Sequence, residues 1–437
     1  MPESLTILFL PESAYGPTNQ CIGLGDLLLR RGHKVVFASE SSWAGKLEAL
    51  GFEERLVDLA APDPDAGEED AGQFWTNFIA ETAPEFRKST TAQLETFIKP
   101  TYQALIDGAM YAEPALKKII DEVRPDVLVE DNVVLFPALA TSEAPFVRIV
   151  SCNPLEVPGD GVAPGLSGLA QDDPASWQPF RAERERSHRE MWTAFNAWVV
   201  EQGAGPLPDL EFLPRENAAN IYVYPEEADY VAERSLDDSW HRIDSSVRRT
   251  DDDYTVPPEV ADRSAGSALI YLSLGSLGGA DVELMQRLVD ALAGSPHRFI
   301  VSMGPQAARI TLADNMVGEQ TLPQTTVIPQ VDLVITHGGN NTTTEALHFG
   351  KPMVLLPLFW DQYDNAQRMD ELGFGVRLAA YEFTPGELSG AIEKLLADTD
   401  LRARLDAIGA RIRARDGLSK GADIIERVGL EHVRRRA

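Results

Sequence analysis

Short apolar runs bounded by turn-forming residues recur along the chain, and longer amphipathic stretches separate them. Such runs are typical of strands buried on both faces of a parallel sheet, and the amphipathic stretches have the spacing of covering helices. The apolar runs lie at 4–10, 34–38, 127–129, 146–150 and 220–223, then at 268–272, 299–301, 333–335 and 353–356. This rhythm predicts an α/β protein, although no internal sequence repeat is evident.

An acidic, irregular stretch at 226–266 interrupts the rhythm, with three consecutive aspartates and the pair Pro257-Pro258. Such a shift in composition is typical of a domain boundary, and 437 residues favour two or three domains. We therefore predict one α/β domain over 1–235, a linker over 236–266 and a second α/β domain over 267–415. A further helix is predicted within 416–437.

The formal net charge of −29 at pH 7 argues against a nucleic-acid partner, because a surface that binds phosphates has to be basic. It also argues against an anionic membrane surface, and no stretch approaches the ~18 apolar residues of a membrane span. The apolar run near the N-terminus is too short for a signal peptide. Cys21 and Cys152, the two cysteines, suggest no disulfide framework, so we expect a cytoplasmic protein.

Two loops after predicted strands carry the candidate chemistry. The strand at 333–335 runs into the turn 337–339, His-Gly-Gly, and a helix follows; the strand at 353–356 precedes the loop 359–362, Phe-Trp-Asp-Gln. Ligands of open α/β sheets bind outside the carboxyl ends of the strands. The first loop offers glycines and a helix N-terminus to an anion, and the second offers hydrogen-bonding groups to sugar hydroxyls. Together they predict a site for a nucleoside diphosphate with a sugar attached.

A dinucleotide-binding loop near the N-terminus is the weaker interpretation. Gly23 and Gly25 fall inside a predicted helix at 21–31 rather than in a strand-to-helix turn, and Leu28 occupies the third glycine position of the pattern.

The candidate loops belong to a longer series of motifs. The series comprises Tyr271-Leu272-Ser273-Leu274-Gly275-Ser276, Pro323-Gln324, His337 through Gly338, Gly339, Asn341, Thr342 and Glu345, then Gly350, Pro352, Pro357, Asp361 and Gln362, and near the N-terminus Ala14-Tyr15-Gly16, Asn19 and Arg31-Gly32-His33. It resembles the donor-binding signature of family 1 UDP-sugar glycosyltransferases, of the bacterial macrolide and natural-product type.

The resemblance implies the GT-B fold, in which two Rossmann-like domains face each other across a cleft. The domain at 1–235 would bind the acceptor and the domain at 267–415 the nucleotide-sugar, while the helix at 416–437 would pack back on the first domain. The donor-binding residues would be Gly275, Ser276, Gln324, His337, Gly339, Asn341, Thr342, Glu345, Asp361 and Gln362. His337 would bond the diphosphate, Glu345 the ribose, and Asp361 with Gln362 the hexose.

Several of these residues also have a structural interpretation. Thr342 and Glu345 spell a capping box, which would explain both at a helix start. Asp361 and Gln362 suit a helix start, and Trp360 suits packing. We interpret the aspartates at 63, 65 and 251–253 as solvated charge in loops, and we expect no metal and no cofactor beyond the UDP-sugar co-substrate.

The position of the family's usual general base, a His directly after the residue matched by Gly16, is occupied by Pro17. Asp131 matches the usual partner of that His. Three explanations stay open. Asp131 or Glu12, at strand carboxyl ends, acts as the catalytic base, and burial would raise its pKa toward neutrality. Alternatively, the acceptor is acidic enough to need little help, or the protein binds nucleotide-sugar without turnover.

The function predicted from the sequence is an inverting, metal-independent transfer of a hexose, glucose from UDP-glucose, to a hydroxyl or other nucleophile of an apolar small molecule. The alternative is an auxiliary nucleotide-sugar-binding protein, and an epimerase or hydrolase fits less well. Thr321 stands where many relatives have a Trp that stacks on the base, which leaves UDP and dTDP open as donors. A monomer or homodimer is expected.

Overall fold

Two parallel β-sheets organise the chain in a computed structural model that describes residues 4–60, 81–157, 159–215, 217–261 and 266–436. The loop predicted after residue 60, with Asp63 and Asp65, lies outside these residues. The strands are β1 Thr6–Pro11, β2 Lys34–Ser39, β3 Glu53–Leu56, β4 Val127–Asp131, β5 Phe146–Val150, β6 Ala219–Val223, β7 Trp240–Ile243, β8 Leu269–Ser273, β9 Arg298–Ser302, β10 Met316–Glu319, β11 Leu333–Thr336, β12 Met353–Leu355 and β13 Gly375–Arg377. The first sheet has the order β3-β2-β1-β4-β5-β6-β7 and the second the order β10-β9-β8-β11-β12-β13.

Helices cover both sheets. The longer ones are α1 Tyr15–Arg30, α2 Lys99–Val123, α3 Trp177–Glu201, α4 Val282–Leu292, α5 Asn340–His348, α6 Gln362–Glu371, α7 Pro385–Ala397, α8 Thr399–Arg415 and α9 Gly417–Arg436. Short helical segments are Thr90–Gln93, Leu94–Ile98, Pro137–Ala140, Pro258–Ala261, Gly275–Gly278 and Gln324–Val327. Gly23 and Gly25 lie inside α1, so they form no dinucleotide-binding turn.

The apolar runs are continuous because their strands are buried on both faces. In β1, Ile7 and Phe9 belong to the cluster that includes residues of α1 and α9, whereas Leu8 and Leu10 belong to the cluster that includes α2. This arrangement is the one expected of a parallel sheet with helices on each side.

The last helix, α9, crosses back to the first sheet. Ile425 and Val428 belong to the same buried cluster as Ile7 of β1, and Glu426 Oε1 lies 2.7 Å from His33 Nε2. The fold is therefore the GT-B arrangement, with two Rossmann-like domains and a returning C-terminal helix.

The range predicted as linker contains a strand. Trp240–Ile243, which is β7, pairs in parallel with β6 and forms the edge of the first sheet. Its sequence, Trp-His-Arg-Ile, carries two polar residues and spans only four positions, so it lacks the apolar run that marked the other strands. The domain boundaries themselves remain a prediction.

Candidate active site

The candidate residues gather where each sheet reverses its strand order. In the first sheet β1 lies between β2 and β4, and in the second β8 lies between β9 and β11. Glu12 follows β1 and Asp131 ends β4, while Gly275 and His337 follow β8 and β11. The carboxyl ends of strands at such a switch point form the binding crevice of open α/β sheets.

The two crevices face each other. The side-chain amide of Asn341, in the first turn of α5, donates to the Gly16 carbonyl of α1 at 2.9 Å and accepts from Gln20 Nε2. Asn341, a predicted donor-binding residue, therefore joins the two domains in this structure. Ser276 lies half-buried in the short helix beside Gly275.

His337 occupies a slot between two glycines. A Cβ atom on Gly275 would lie 2.7 Å from His337 Cε1, and one on Gly339 would lie 2.5 Å from His337 Nε2. Gly275 also has a φ of +70°, which favours glycine. Burial lowers the pKa of His337 to about 4, so the imidazole is neutral near pH 7 and can act as an N–H donor.

Gln324, Thr342 and Glu345 form one hydrogen-bonded group beside this slot. Gln324 Nε2 donates to Glu345 Oε2 at 2.6 Å and to Thr342 Oγ1 at 3.1 Å. The capping-box interpretation is wrong, because α5 begins at Asn340 and its N-cap residue is Gly339. Thr342 and Glu345 are instead both hydrogen-bonded to Gln324.

Arg248, which lies in the stretch predicted as linker, pairs with Glu345. Its guanidinium lies 3.3 Å from Glu345 Oε1 and pairs with both oxygens of Asp251 at 2.7 and 2.9 Å. Asp251 also accepts from the N–H and hydroxyl of Thr325. The interpretation of Asp251 as solvated charge is therefore wrong, because Asp251 is hydrogen-bonded to Arg248 and Thr325.

Asp361 and Gln362 begin α6, as the structural interpretation expected, and both side chains have partners there. Asp361 Oδ2 accepts from the backbone N–H of Asn153 at 2.8 Å, and burial raises the pKa of this carboxyl to about 7. Gln362 Oε1 accepts from the Leu358 N–H at 3.0 Å, so its amide N–H₂ group is what it can offer a sugar. Trp360 packs on Tyr102, with ring centroids 5.3 Å apart.

At the first-sheet crevice, Asp131 is 4 % exposed. Its Oδ1 accepts from the Ser151 hydroxyl at 3.0 Å, and its Oδ2 is buried without a hydrogen-bond partner among the described residues. Burial raises the pKa of Asp131 to about 7, with a smaller contribution from the charge of Glu12. Burial also raises the pKa of Glu12 to about 7.

Pro17 lies in the first turn of α1, where a residue without a backbone N–H is tolerated. Beside Asp131 the first domain encloses a cavity of about 60 Å³, lined by polar and apolar side chains that include Ser151, Tyr102 and Phe212. Asp131 therefore has both a free oxygen and an adjoining space, which distinguishes it from Glu12.

A family model described as UDP-glucoronosyl and UDP-glucosyl transferase matches residues 256–405, the part of the chain that carries the second crevice. The chain is a glycosyltransferase, and this part of it is similar to that family. It is 26% identical, over 94% of its length, to the NDP-glycosyltransferase YjiC of Bacillus subtilis (strain 168), of which it covers 94%. It is also 26% identical, over 96% of its length, to the demethyllactenocin mycarosyltransferase of Streptomyces fradiae, of which it covers 86%.

Solved structures share the fold of this glycosyltransferase. The structure of the glycotransferase of kitacinnamycin superposes with a TM-score of 0.72 at 22% identity, covering 98% of this chain and all of that one. The calicheamicin glycosyltransferase CalG4 superposes with a TM-score of 0.67 at 19% identity, over 98% of each chain.

Within the described ranges of this glycosyltransferase, no group of three or more His, Cys, Asp or Glu side chains is placed to hold a metal ion. None of its described helices is long and apolar enough to cross a membrane.

Sequence reasoning missed Arg248 and Asn153 at this site, and Arg148, which lines the cavity beside Asp131. Asn153 follows strand β5 closely, as catalytic-loop residues do, and that position was a usable signal. Arg248 and Arg148 carried no such signal, because one lies in an acidic irregular stretch and the other inside an apolar strand.

Proposed function

We propose that the enzyme transfers glucose from UDP-glucose, with inversion at the anomeric carbon, to a hydroxyl of a small molecule. The observation that carries this proposal is the neutral imidazole of His337 in its slot at the switch point of the second sheet. Negative charge grows on the diphosphate as the glycosidic bond stretches. An N–H donor fixed there, beside the N-terminus of α5, stabilises the transition state more than the ground state.

In this proposal each donor-binding residue has one task. Gly275, Ser276 and Gly339 donate backbone N–H groups to the phosphates. Asn341 and Thr342 lie next to the phosphates at the start of α5. Glu345 accepts from the ribose, and Gln324 holds Glu345 in place. Asp361 and the amide of Gln362 contact the hexose. Binding of the sugar at Asp361 competes with its bond to Asn153, which links donor binding to the contact between the domains.

Asp131 is the proposed general base. Its free Oδ2 is a proton acceptor, and a pKa of about 7 suits it to take a proton near neutral pH. The base belongs to the first sheet and His337 to the second, so the acceptor oxygen would attack the anomeric carbon from the side opposite the departing diphosphate. That disposition supports inversion.

Hydroxyl-bearing natural products or sterols are the proposed acceptors. Relatives are named demethyllactenocin mycarosyltransferase, oleandomycin glycosyltransferase and sterol 3-beta-glucosyltransferase, which supports this class. Thr321 is exposed and offers no aromatic face to a base, so dTDP-glucose is the donor to compare with UDP-glucose.

The test is nucleoside diphosphate release from UDP-glucose and dTDP-glucose, with phenols, alcohols, amines and thiols as acceptors and a reaction without acceptor. We expect acceptor-dependent release and a product of inverted configuration by NMR. His337→Ala should weaken donor use sharply, and unchanged kinetics would refute the site. Release without acceptor would indicate a hydrolase, and binding of UDP-glucose without any release would indicate a binding protein.

A further inference from the structure

The cavity beside Asp131 is lined by a buried cation, Arg148. Arg148, in the middle of β5, lines this cavity and is 6 % exposed, and its Nε atom has no hydrogen-bond partner among the described residues. Its guanidinium lies over the Trp240 ring, 5.6 Å from the centroid. An aromatic face supports a cation but accepts none of the hydrogen bonds that the five guanidinium N–H groups can donate.

Glu130, the carboxyl nearest in the sheet, does not satisfy Arg148. The two residues are partners in the β4–β5 register, yet Glu130 is fully buried and both of its oxygens lack hydrogen-bond partners among the described residues. Burial raises the pKa of Glu130 to about 8, which favours the neutral acid near pH 7. A buried charge without a paired partner destabilises the folded protein. Arg148 is therefore expected to have a ligand when the enzyme is loaded.

Besides Arg148, the cavity is lined by the carboxyl groups of Asp131, Glu156 and Glu211, none of which accepts a hydrogen bond from Arg148 Nε. Arg184, on α3, supplies a second guanidinium. Glu211 is engaged by Arg215, with Nε to carboxylate distances of 3.0 and 3.1 Å. Glu156 lies in the field of both Arg148 and Arg184, and burial raises the pKa of its carboxyl, which favours the neutral acid. The volume of about 60 Å³ equals the space of roughly four to six ordered waters, which a carboxylate with its first carbon atoms can displace.

We propose that the acceptor is anionic: it carries a carboxylate that binds the Arg148 guanidinium while its hydroxyl lies at Asp131. The planar guanidinium fork matches the two oxygens of a carboxylate. This inference rests on the proposed function, because it takes the space beside Asp131 as the acceptor site. It also departs from the apolar acceptor expected from the sequence, because a wholly apolar molecule would leave Arg148 Nε without an acceptor. It narrows the proposed acceptors to natural products that carry a carboxylate and excludes sterols.

The test compares acids with their methyl esters. The acids are 4-hydroxybenzoate, 4-hydroxyphenylacetate and 3-(4-hydroxyphenyl)propanoate. Each keeps the same nucleophilic hydroxyl when its carboxylate is esterified, and the three differ in the distance between hydroxyl and carboxylate. Binding to the full chain with UDP present is measured by calorimetry, independently of turnover, and kcat/KM is measured with UDP-glucose. We expect at least one acid to bind about tenfold or more tightly than its ester, with a matching difference in kcat/KM.

Arg148→Met should abolish the preference for the acid and leave binding of the ester and of UDP unchanged, while Arg148→Lys should keep part of it. Arg427→Met, on the surface of α9, is the matched control and should keep the full preference. The wild-type comparison needs no variant, so it stands even if Arg148→Met does not fold.

Equal binding of acid and ester, or failure of all three acids to bind while UDP binds, would overturn this proposal; the cavity would then hold water only. Transfer to the esters without preference for the acids would do the same and leave the proposed function intact. Arg148-dependent binding of an acid without transfer to any acceptor would support the anion site and count against the proposed function.

Discussion

The slot around His337 depends on the missing side chains of two glycines. Gly339 has a φ of −59° and a ψ of 144°, which alanine adopts without strain. A methyl group there would nevertheless lie 2.5 Å from His337 Nε2, so the ring has to move. We predict that Gly339→Ala weakens UDP binding about tenfold or more, measured by calorimetry, with little loss of thermal stability.

Gly294→Ala is the matched control, because a Cβ atom there meets no atom within 4 Å. It should leave UDP affinity unchanged. Equal UDP affinity in Gly339→Ala and Gly294→Ala would show that the position of the imidazole does not matter for the diphosphate.

The buried carboxyl of Asp131 should lower the free energy of unfolding at high pH. Burial raises its pKa from 3.8 to about 7, so the folded chain holds this proton more tightly than the unfolded chain. Stability therefore falls as pH rises from about 4 to about 7 and stays lower above that range. Because asparagine does not ionise, Asp131→Asn should be more stable than the wild type at pH 8, by up to about 4 kcal/mol.

The advantage of Asp131→Asn should become small by pH 4, close to the ordinary aspartate pKa of 3.8. Urea unfolding at pH 4 and pH 8 measures both values. A variant that is less stable than the wild type at pH 8 would contradict the burial of an ionised, poorly paired carboxylate.

At the scale of elements, helix α6 joins the two domains. Asp364 accepts the backbone N–H groups of Leu166 at 2.6 Å and Gly168 at 2.7 Å, both from the first domain. Arg368 donates to the carbonyls of Ala228 and Asp229. Side chains of α6, which begins at the predicted hexose-binding pair Asp361 and Gln362, therefore connect the two domains.

We predict that Asp364→Asn lowers the free energy of unfolding by about 1 to 3 kcal/mol, because an amide group can accept with only one of its two ends and leaves a buried N–H unpaired. Asp290→Asn, at an exposed position of α4, is the control and should change it by less than about 0.5 kcal/mol. Equal unfolding midpoints in urea for the two variants would contradict a structural role of the α6 contact.

The elements that sequence patterns predicted well are those whose signal is local. Apolar runs such as the one in β1 predicted the buried strands, and the His-Gly-Gly sequence predicted the turn between β11 and α5. Contacts between distant segments carry no such signal. Arg248 reaches Glu345 across 97 positions and Asn153 reaches Asp361 across 208, so neither pairing was predictable from spacing.

An internal similarity that no sequence repeat revealed appears in the hydrogen bonds at the start of each sheet. In both domains a histidine before the second strand and an aspartate before the fourth accept backbone N–H groups of the first strand. The bonds are Leu5 N–H to His33 Nδ1 (3.1 Å), Thr6 N–H to Asp126 Oδ2 (2.8 Å), Ala268 N–H to His297 Nδ1 (3.1 Å) and Leu269 N–H to Asp332 Oδ2 (2.9 Å). Two residues per domain are too few for a sequence comparison to detect.

At the scale of the whole molecule, α9 links the end of the chain to its beginning. Glu426 accepts from His33 Nε2 at 2.7 Å and from Arg31 Nη1 at 2.7 Å. Since His33 Nδ1 accepts from Leu5, its proton resides on Nε2 and is donated to the carboxylate. Glu426→Ala should lower the free energy of unfolding by about 1 to 2 kcal/mol.

Glu431→Ala, whose carboxylate pairs with arginines on the exposed side of α9, should cost less than about 0.5 kcal/mol. Chemical unfolding of both variants at pH 7 measures the difference. Equal losses would mean that α9 is held by its apolar face alone.

The central claim is that sugar transfer proceeds with Asp131 as the base, since Pro17 cannot take a proton. The most direct measurement is kcat/KM of the wild type and of Asp131→Asn, from pH 5 to 9, with an aliphatic alcohol and with phenols of graded acidity. The wild type should show a rate that rises through about pH 7 to a plateau, because the ionised carboxylate is the active form. Asp131→Asn should lose that rise. Its rate with the alcohol should fall by a factor of about 10² to 10⁴, and its rate with the most acidic phenol should fall much less. Its affinity for UDP should be unchanged. An equal, small loss with every acceptor and an unchanged pH profile would contradict the account.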